Sequence, residues 1–228
     1  MIFAEFVNPN ETRKNERGGT MLRKKRRREA RYRFVKRTLD LFFSILLLLF
    51  LALPMLLLGG LIRATSDGPA IFRQTRVGRD GVSFVCLKFR TMYENAPREC
   101  PSNELRDGSY VTPIGRFLRR TSLDELPQLF NVLRGEMSLV GPRPLIACEK
   151  EVHELRRRSG ADRLRPGITG LSQIRGRDFL PNRDKARLDA RYAHTLGFAS
   201  DLRILKETVV GVFSGKDSFD QRANNFQT

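Results

Sequence analysis

Two adjacent carboxylates, Asp124 and Glu125, are the residues of this 228-residue chain whose types and spacing best suit chemistry. They lie in the sequence TSLDELPQLFNVLRG, where helical spacing begins, so the first turn of a helix is predicted here. A helix N-terminus favours an ionised carboxylate and offers unpaired N–H groups that can hold a phosphate. An ionised Asp at this position could attack phosphorus, and the pair could hold Mg²⁺ together with substrate phosphate oxygens.

Both carboxylates also have ordinary structural explanations. Ser122 and Glu125 have the spacing of a capping box, and acidic residues are common wherever a helix starts. The local sequence therefore leaves structure and catalysis open. Cations favour the chemical interpretation, because attack on a diphosphate needs positive charge to offset the developing negative charge. Four arginines lie near the pair in sequence: Arg116, Arg119, Arg120 and Arg143.

The net charge of +17 is concentrated in an N-terminal arm, where thirteen Lys or Arg between Arg13 and Arg37 face only two acidic residues. Such an arm could bind any polyanion, including nucleic acid. An apolar stretch follows it directly, so anionic lipid headgroups are the nearer partner and no nucleic acid is expected. The three cysteines and two histidines form neither a disulfide framework nor a zinc site, which favours a reduced cytoplasmic domain.

The stretch from Leu41 to Ile62 contains 22 residues without a charge, which is enough to cross a bilayer core as a helix. Both of its flanks are basic, and basic flanks stay on the cytoplasmic side. Pro54 lies within the stretch and removes a helix hydrogen bond. We therefore predict a re-entrant helix-break-helix at residues 38–65, with the break at Pro54. A simple span with a proline kink is the alternative.

The rest of the chain is predicted to be α+β and mostly helical. Residues 70–77 and 82–89 are rich in β-forming residues and flank a Gly-Arg-Asp-Gly turn, which predicts a small antiparallel hairpin. Residues 94–108 are predicted as a loop. A short amphipathic helix is predicted at 112–120, and such a helix can lie at a membrane interface or cover the core. Helical spacing recurs at 123–133, 145–158, 183–196 and 201–213.

Several separate blocks resemble the bacterial sugar transferase family, the monotopic polyprenyl-phosphate sugar-1-phosphate transferases. The resemblance runs from Lys36 to about Val212. The blocks are Arg37-Thr38-Leu39-Asp40, Arg73-Gln74 with Arg76-Val77-Gly78, Lys88-Phe89-Arg90-Thr91-Met92, Thr112-Pro113-Ile114-Gly115-Arg116, the carboxylate block, Ser138-Leu139-Val140-Gly141-Pro142-Arg143-Pro144, and Arg165-Pro166-Gly167-Ile168-Thr169-Gly170.

The resemblance implies the minimal catalytic unit of that family, with a single re-entrant helix. It implies that Asp124 attacks a nucleotide-diphosphate sugar, with a uridine diphosphate donor expected. Nucleoside monophosphate leaves, and polyprenyl phosphate then takes the phosphosugar from the aspartate. Glu125 would help Asp124 bind Mg²⁺, and Arg143 would hold a phosphate.

Further substrate contacts are predicted with less support from the sequence. Lys88, Arg90 and Arg119 are candidate phosphate contacts, although exposed basic residues are ordinary on any surface. Arg165 precedes a Pro-Gly turn that could present its side chain or be a plain loop. Gln173, Arg175 and Asp178 are candidate contacts to sugar or nucleotide.

These predictions divide the chain into a disordered basic cytoplasmic arm (1–37), the re-entrant membrane helix (38–65), a cytoplasmic catalytic domain (66–215) and a tail (216–228). The expected location is the cytoplasmic face of the bacterial inner membrane. The oligomeric state, including a homodimer, is left open, as are the sugar and the glycan pathway. Two alternatives remain: direct attack by the lipid phosphate, with Asp124 as base or metal ligand, and a non-enzymatic membrane-tethered adaptor.

Overall fold

The computed structural model describes residues 9–97, 110–176 and 180–214. Its helices are α1 (Pro9–Thr65), α2 (Pro113–Thr121), α3 (Gln128–Arg134), α4 (Lys150–Ser159), α5 (Leu171–Arg175), α6 (Asn182–His194) and α7 (Phe198–Ser214). Its strands are β1 (Ile71–Val77), β2 (Ser83–Phe89), β3 (Ser138–Val140) and β4 (Gly167–Thr169). The predicted class, α+β and mostly helical, is confirmed.

The predicted hairpin is formed by β1 and β2, which pair antiparallel with Arg73 opposite Leu87 and Val77 opposite Ser83. A single 3-10 turn at Arg79–Gly81 connects them. Asp80 in that turn has φ 56°, a left-handed conformation that Asp tolerates better than most residues. The hairpin brings Lys88 close to the open end of the pair, far along β2 from the turn.

A second pair of strands was not predicted. The three-residue strands β3 and β4 run parallel, with Ser138 opposite Gly167 and Val140 opposite Thr169. Strands this short have no readable alternation, and their partners are far apart in sequence. The two strands approach closely: a Cβ added at Gly141 would lie 2.3 Å from the carbonyl oxygen of Arg165. Only glycine fits at that position.

The predicted helix at 123–133 is divided in two by the structure. Leu123–Glu125 forms a 3-10 turn, and α3 begins only at Gln128, after Pro127. Proline is tolerated at a helix start because its missing N–H would be unpaired there anyway. The carboxylates therefore lie in a tight turn before the helix, and the prediction that they occupy its first α-helical turn was wrong.

The first helix, α1, continues through Pro54 without a non-helical break. It also includes residues 9–37, where a disordered arm was expected. Arg, Lys and Glu are good helix formers, and an arm joined to an apolar helix does not need a nucleus of its own. A re-entrant course through a membrane would need a bend within this helix rather than a non-helical break. By its internal contacts the chain forms two units, residues 1–38 and 39–228.

The part of α1 from Arg27 to Thr65 is long and apolar enough to cross a membrane, and its most apolar 18-residue window has a mean hydropathy of 2.9. Only 11% of its most apolar window is buried within the protein. Large apolar side chains such as Leu49, Phe50 and Leu53 are exposed. An apolar surface of this size needs another partner, and lipid satisfies that need.

Within residues 39–228, the end of α1 shares a hydrophobic cluster with the hairpin and with α2. Ile62, Phe89 and Leu118 are its buried members. A neighbouring cluster joins Phe84 and Cys86 of β2 to Val132 and Met137 around α3. Burial raises the pKa of the Cys86 thiol, which keeps it protonated at neutral pH. These clusters fix β2 and the carboxylate turn beside the end of the apolar helix.

A buried carboxylate in the apolar helix gives a further anchor. Asp40 accepts hydrogen bonds from the hydroxyl of Ser138 (2.8 Å) and from the backbone N–H of Leu139 (3.1 Å). A buried carboxylate is stable only when it is paired in this way. Asp40 therefore connects the start of the apolar segment to β3.

Candidate active site

The carboxylate turn begins where α2 ends. Ser122 has φ 57°, which terminates α2, and its backbone N–H donates to the carbonyl of Arg119 at 3.3 Å. That N–H is thus committed to α2. Ser122 makes no side-chain cap bond to the turn Leu123–Glu125, so the capping box that would have explained Glu125 structurally is not formed.

Lys88 reaches both carboxylates from β2. Its Nζ donates to Oε1 of Glu125 at 2.7 Å and lies 4.0 Å from Oδ2 of Asp124. All three side chains are partly buried. Charges interact more strongly at a partly desolvated site than at an open surface. The structure therefore brings Lys88 together with the two carboxylates.

Arg143 approaches Glu125 from the segment that follows β3. Its NH1 lies 3.7 Å from Oε1 of Glu125, and its side chain is also partly buried. Two backbone carbonyls of this segment are held by distant arginines. Arg76 of β1 donates to the carbonyl of Pro144 at 3.0 Å, and Arg156 of α4 donates to the carbonyl of Arg143 at 2.9 Å.

The site thus combines two carboxylates from one turn with two cations from separate elements. Lys88 and Arg143 both contact Glu125 and offset its negative charge. Phosphate oxygens are good partners for the same cations.

Asp124 and Glu125 are also the residues that fit a magnesium ion. Among the described residues, no group of three or more His, Cys, Asp or Glu side chains could hold a metal. Mg²⁺ does not need such a cage, because it commonly takes one or two carboxylates and completes its shell with water and substrate phosphate. The carboxylate pair is sufficient for that kind of site.

The structure gives Arg90 a different place from the one predicted. Its guanidinium is buried and donates to the backbone carbonyls of Ser66 (2.8 Å), Gly68 (3.2 Å) and Asp67, just after α1. Carbonyls at a helix C-terminus lack intrahelical partners, and a basic side chain satisfies them. Arg90 therefore caps α1, and its guanidinium is not available as a phosphate contact.

The other predicted contacts are dispersed. Arg119 donates from Nε to the hydroxyl of Thr91 at 2.9 Å, and Arg165 donates to the carbonyl of Gly135 at 2.8 Å. Arg175 is exposed and lies 3.7 Å from Glu207 of α7. Gln173 is buried and donates to the carbonyl of Ile168, while its Oε1 has no hydrogen-bond partner among the described residues. Asp178 lies outside the described residues.

Two supporting residues were missed by the sequence analysis. Asn131 of α3 is fully buried, and its amide accepts from the N–H of Leu87 (3.0 Å) and donates to the carbonyl of Val85 (2.7 Å). It pairs with β2 as a neighbouring strand would. Only its position in the carboxylate block could have drawn attention to Asn131. Nothing in the sequence shows that its amide would bond to the backbone of β2.

Arg156 is the second missed residue, together with its partner Asp189 of α6. Arg156 donates to Oδ2 of Asp189 from Nε at 2.9 Å and from NH2 at 2.6 Å. Burial raises the pKa of the Asp189 carboxyl, and the adjacent Arg156 opposes that effect. The two residues are 33 positions apart, and no local pattern connects them.

Comparison with known proteins assigns the family. The family described as "Bacterial sugar transferase" matches residues 31–215. The exopolysaccharide production protein ExoY of Sinorhizobium fredii is 37% identical over 202 residues, covering 81% of this chain and 88% of that protein. A UDP-glucose:undecaprenyl-phosphate glucose-1-phosphate transferase of Caulobacter vibrioides is 41% identical over 192 residues, covering 81% and 72%.

A larger relative also matches. The undecaprenyl-phosphate galactose phosphotransferase of Salmonella typhimurium is 39% identical over 194 residues, covering 77% of this chain but only 40% of its own length. The family match at residues 31–215 contains the carboxylate turn, Lys88 and Arg143. On the extent of the family match and on these identities, the chain belongs to the bacterial sugar transferase family.

Proposed function

We propose that the chain transfers a sugar-1-phosphate from a UDP-sugar to polyprenyl phosphate, through a phosphosugar attached to Asp124. It is a phosphoglycosyl transferase by its family and by the names of its relatives. One observation carries the mechanism: Lys88 and Arg143 converge on the adjacent carboxylates Asp124 and Glu125. The relatives include proteins named for exopolysaccharide production, so a role in glycan assembly is proposed with it.

The first half-reaction forms one bond and breaks one. A carboxylate oxygen of Asp124 attacks the sugar-linked phosphorus of the donor, and the bond from that phosphorus to the bridging oxygen breaks. UMP leaves with the electron pair of that bond. The sugar phosphate remains on Asp124 as an acyl phosphate, which is the product of nucleophilic catalysis by a carboxylate.

The second half-reaction regenerates the enzyme. A phosphate oxygen of polyprenyl phosphate attacks the same phosphorus, and the bond to Asp124 breaks. The carboxylate returns to its ionised form, and the product is a polyprenyl diphosphate sugar. No oxidation or external proton donor is required.

Lys88 and Arg143 act on the phosphates in both steps. Each is close enough to the carboxylates to contact a phosphoryl group held between them. Fixed positive charge at the site of developing negative charge is a large contributor to catalysis. When bound by Asp124 and Glu125, Mg²⁺ supplies Lewis-acid charge neutralisation at the phosphate oxygens.

The apolar helix supports a location for the reaction at the membrane surface. Polyprenyl phosphate lies in a bilayer with its phosphate at the interface, and the end of α1 shares a hydrophobic cluster with β2 and α2. We propose that α1 inserts from the cytoplasmic face of the inner membrane and brings the carboxylate turn to the headgroup level. The basic residues before Leu41 would add attraction to anionic lipids.

The variant Asp124→Asn tests this mechanism. It should lose UMP release and transfer to lipid together, because both half-reactions need the carboxylate. The control is Asp80→Asn, an exposed Asp in the hairpin turn, which should keep full activity. With wild-type enzyme and labelled UDP-sugar but no lipid acceptor, we expect a labelled adduct at Asp124. Full turnover without a trappable adduct would favour direct attack by the lipid phosphate.

A further inference from the structure

The end of α4 carries three consecutive arginines, and one of them differs from the others. Arg156 is only 6% exposed, whereas the side chains of Arg157 and Arg158 are each 73% exposed and pair with Glu154 at the surface. A buried guanidinium is costly unless each of its donors is used. The partners of Arg156 therefore show what this arginine does.

Two of its nitrogens are held by a buried acid. Nε and NH2 of Arg156 both donate to Oδ2 of Asp189, which is 1% exposed. The other oxygen of Asp189 accepts from the hydroxyl of Ser172 in α5 at 3.0 Å. Helices α4, α5 and α6 are thus connected through one carboxylate, and the plane of the guanidinium is fixed.

The third nitrogen is directed at the active site. NH1 of Arg156 donates to the backbone carbonyl of Arg143 at 2.9 Å. Arg143 lies between Pro142 and Pro144, whose nitrogens carry no hydrogen and cannot join a strand ladder. The carbonyls of this segment accept from outside donors: Arg156 at residue 143 and Arg76 at residue 144, with the N–H of Gly167 at residue 142.

We infer that Arg156 is a positioning residue for phosphate transfer, which sets the backbone of Arg143 so that its guanidinium meets the donor diphosphate. The inference rests on the proposed function, since it assigns a phosphate to Arg143. Arg156 touches no substrate itself and acts through the carbonyl of Arg143. A displacement of about 1 Å in a positioning group can reduce turnover by about 100-fold.

The test compares Arg156→Lys with Arg158→Lys, the same change two residues further along α4. Lysine at 156 keeps a positive charge beside Asp189, but its single nitrogen cannot serve both the carboxylate and the carbonyl of Arg143. We expect kcat/KM for UMP release to fall at least about tenfold in Arg156→Lys, by analogy with misplaced positioning groups. Arg158→Lys should stay within about twofold, as surface changes usually do.

A double-mutant cycle separates positioning from folding. The dissociation constant for UDP, measured by calorimetry, should rise in Arg156→Lys and in Arg143→Ala. Adding Arg156→Lys to Arg143→Ala should change it less than about twofold, because residues that act through one group are not additive. The inference is overturned if Arg156→Lys weakens UDP binding as much in the Arg143→Ala background as it does in the wild-type background. Equal activity of Arg156→Lys and Arg158→Lys would also overturn it.

Two further measurements distinguish a loss of positioning from a loss of stability and from a failure of the proposed function. If Arg156→Lys lowers the unfolding temperature strongly, the pair Arg156→Met with Asp189→Leu replaces it, since removing both charges avoids a lone buried one. The same loss of UDP affinity is expected there, and its absence would overturn the inference. Failure of the wild-type enzyme to release UMP would contradict the proposed function instead, while the UDP-binding cycle still reports on Arg156.

Discussion

At the residue scale, Lys88 makes a short contact with the carboxylate pair, at 2.7 Å from Glu125. Its second carboxylate neighbour is Asp124 at 4.0 Å. A cation between the proposed nucleophile and the proposed metal ligand is placed to meet the phosphoryl group that would pass between them. Its charge should therefore contribute more in the transition state than in the free enzyme.

Replacing Lys88 by Met should lower kcat for UMP release by about 100- to 1000-fold, the usual loss when one fixed charge at a developing anion is removed. The methylene stem is retained, so packing against β2 changes little. Steady-state release of UMP from a UDP-sugar measures the effect. Lys206→Met, an exposed change on α7, is the control and should be neutral. Activity of the Lys88 variant within tenfold of wild type would contradict this role.

Single residues also show where sequence reasoning stops. Lys88 and Arg90 were predicted as phosphate contacts from the same block, two positions apart, and the structure separates them. Lys88 reaches the carboxylates, while Arg90 caps the carbonyls that follow α1. The block predicts that both cations matter. It cannot say that the carbonyls just after α1, 22 to 24 residues earlier in the chain, lie beside Arg90.

At the element scale, Asn131 holds the strand with Lys88 to the helix that follows the carboxylate turn. Its amide pairs with Val85 and Leu87 of β2 and also donates to Glu136 at 2.6 Å. This buried amide therefore helps to set the distance between Lys88 and Glu125, together with the hydrophobic clusters around β2. The N–H of Leu87 and the carbonyl of Val85 are away from water, so without the amide of Asn131 they would lack a hydrogen-bond partner.

Asn131→Leu should destabilise the protein by about 2 to 4 kcal/mol, because it leaves a buried N–H and a buried carbonyl without partners. The midpoint of thermal unfolding, followed in detergent or nanodiscs, should fall by roughly 5 to 10 °C. Asn182→Leu is the control, since the amide of Asn182 contacts Glu151 at an exposed site. Equal midpoints for the two variants would contradict a supporting role for Asn131.

The contact of β3 with β4 sets the start of the segment that carries Arg143. Gly141→Ala would place a methyl group 2.3 Å from the carbonyl oxygen of Arg165 and 2.9 Å from the nitrogen of Gly167. Backbone atoms cannot swing aside, so the strands must move, at a cost of about 1 to 3 kcal/mol.

We expect Gly141→Ala to lose both stability and UMP release, because Arg143 lies two residues further on. Gly197→Ala provides a matched comparison, since an added methyl there meets no atom within 4 Å. The test measures the unfolding midpoint and the rate of UMP release for both alanine variants. If the two alanine variants behave alike, the close approach of β3 to β4 does not constrain the site.

Elements differ in how far sequence could anticipate them. The hairpin was predicted to within one residue at each strand start, because its alternation and its turn are local signals. The strands β3 and β4 were missed, since their pairing depends on residues 29 positions apart. For the same reason the phosphate-binding role of Arg143 was predicted only from the family resemblance, and the Arg156–Asp189 pair that supports Arg143 was not predicted at all.

At the scale of the whole molecule, an apolar helix adjoins a catalytic region rich in arginine. Arg63, Arg73 and Arg79 follow the apolar stretch closely and are exposed. Moving such residues across a membrane opposes the preference of basic flanks for the cytoplasm. A course that enters and leaves on one side avoids that transfer. The helix α1 continues through Pro54. The chain would therefore reverse its direction in the membrane by a bend at this proline, where one helix hydrogen bond is missing.

Single-cysteine labelling distinguishes this course from a simple span. In a chain with Cys100→Ser and Cys148→Ser, the remaining Cys86 is buried, and new cysteines replace Arg28 or Asp80, which are both exposed. A membrane-impermeant maleimide should label both positions in inside-out vesicles and neither in intact spheroplasts. Arg28→Cys serves as the control, because a re-entrant helix and a span both leave it inside. Labelling of Asp80→Cys from outside would establish a span, and it would place Lys88 and the carboxylate turn on the side of the membrane where no nucleotide sugar is made.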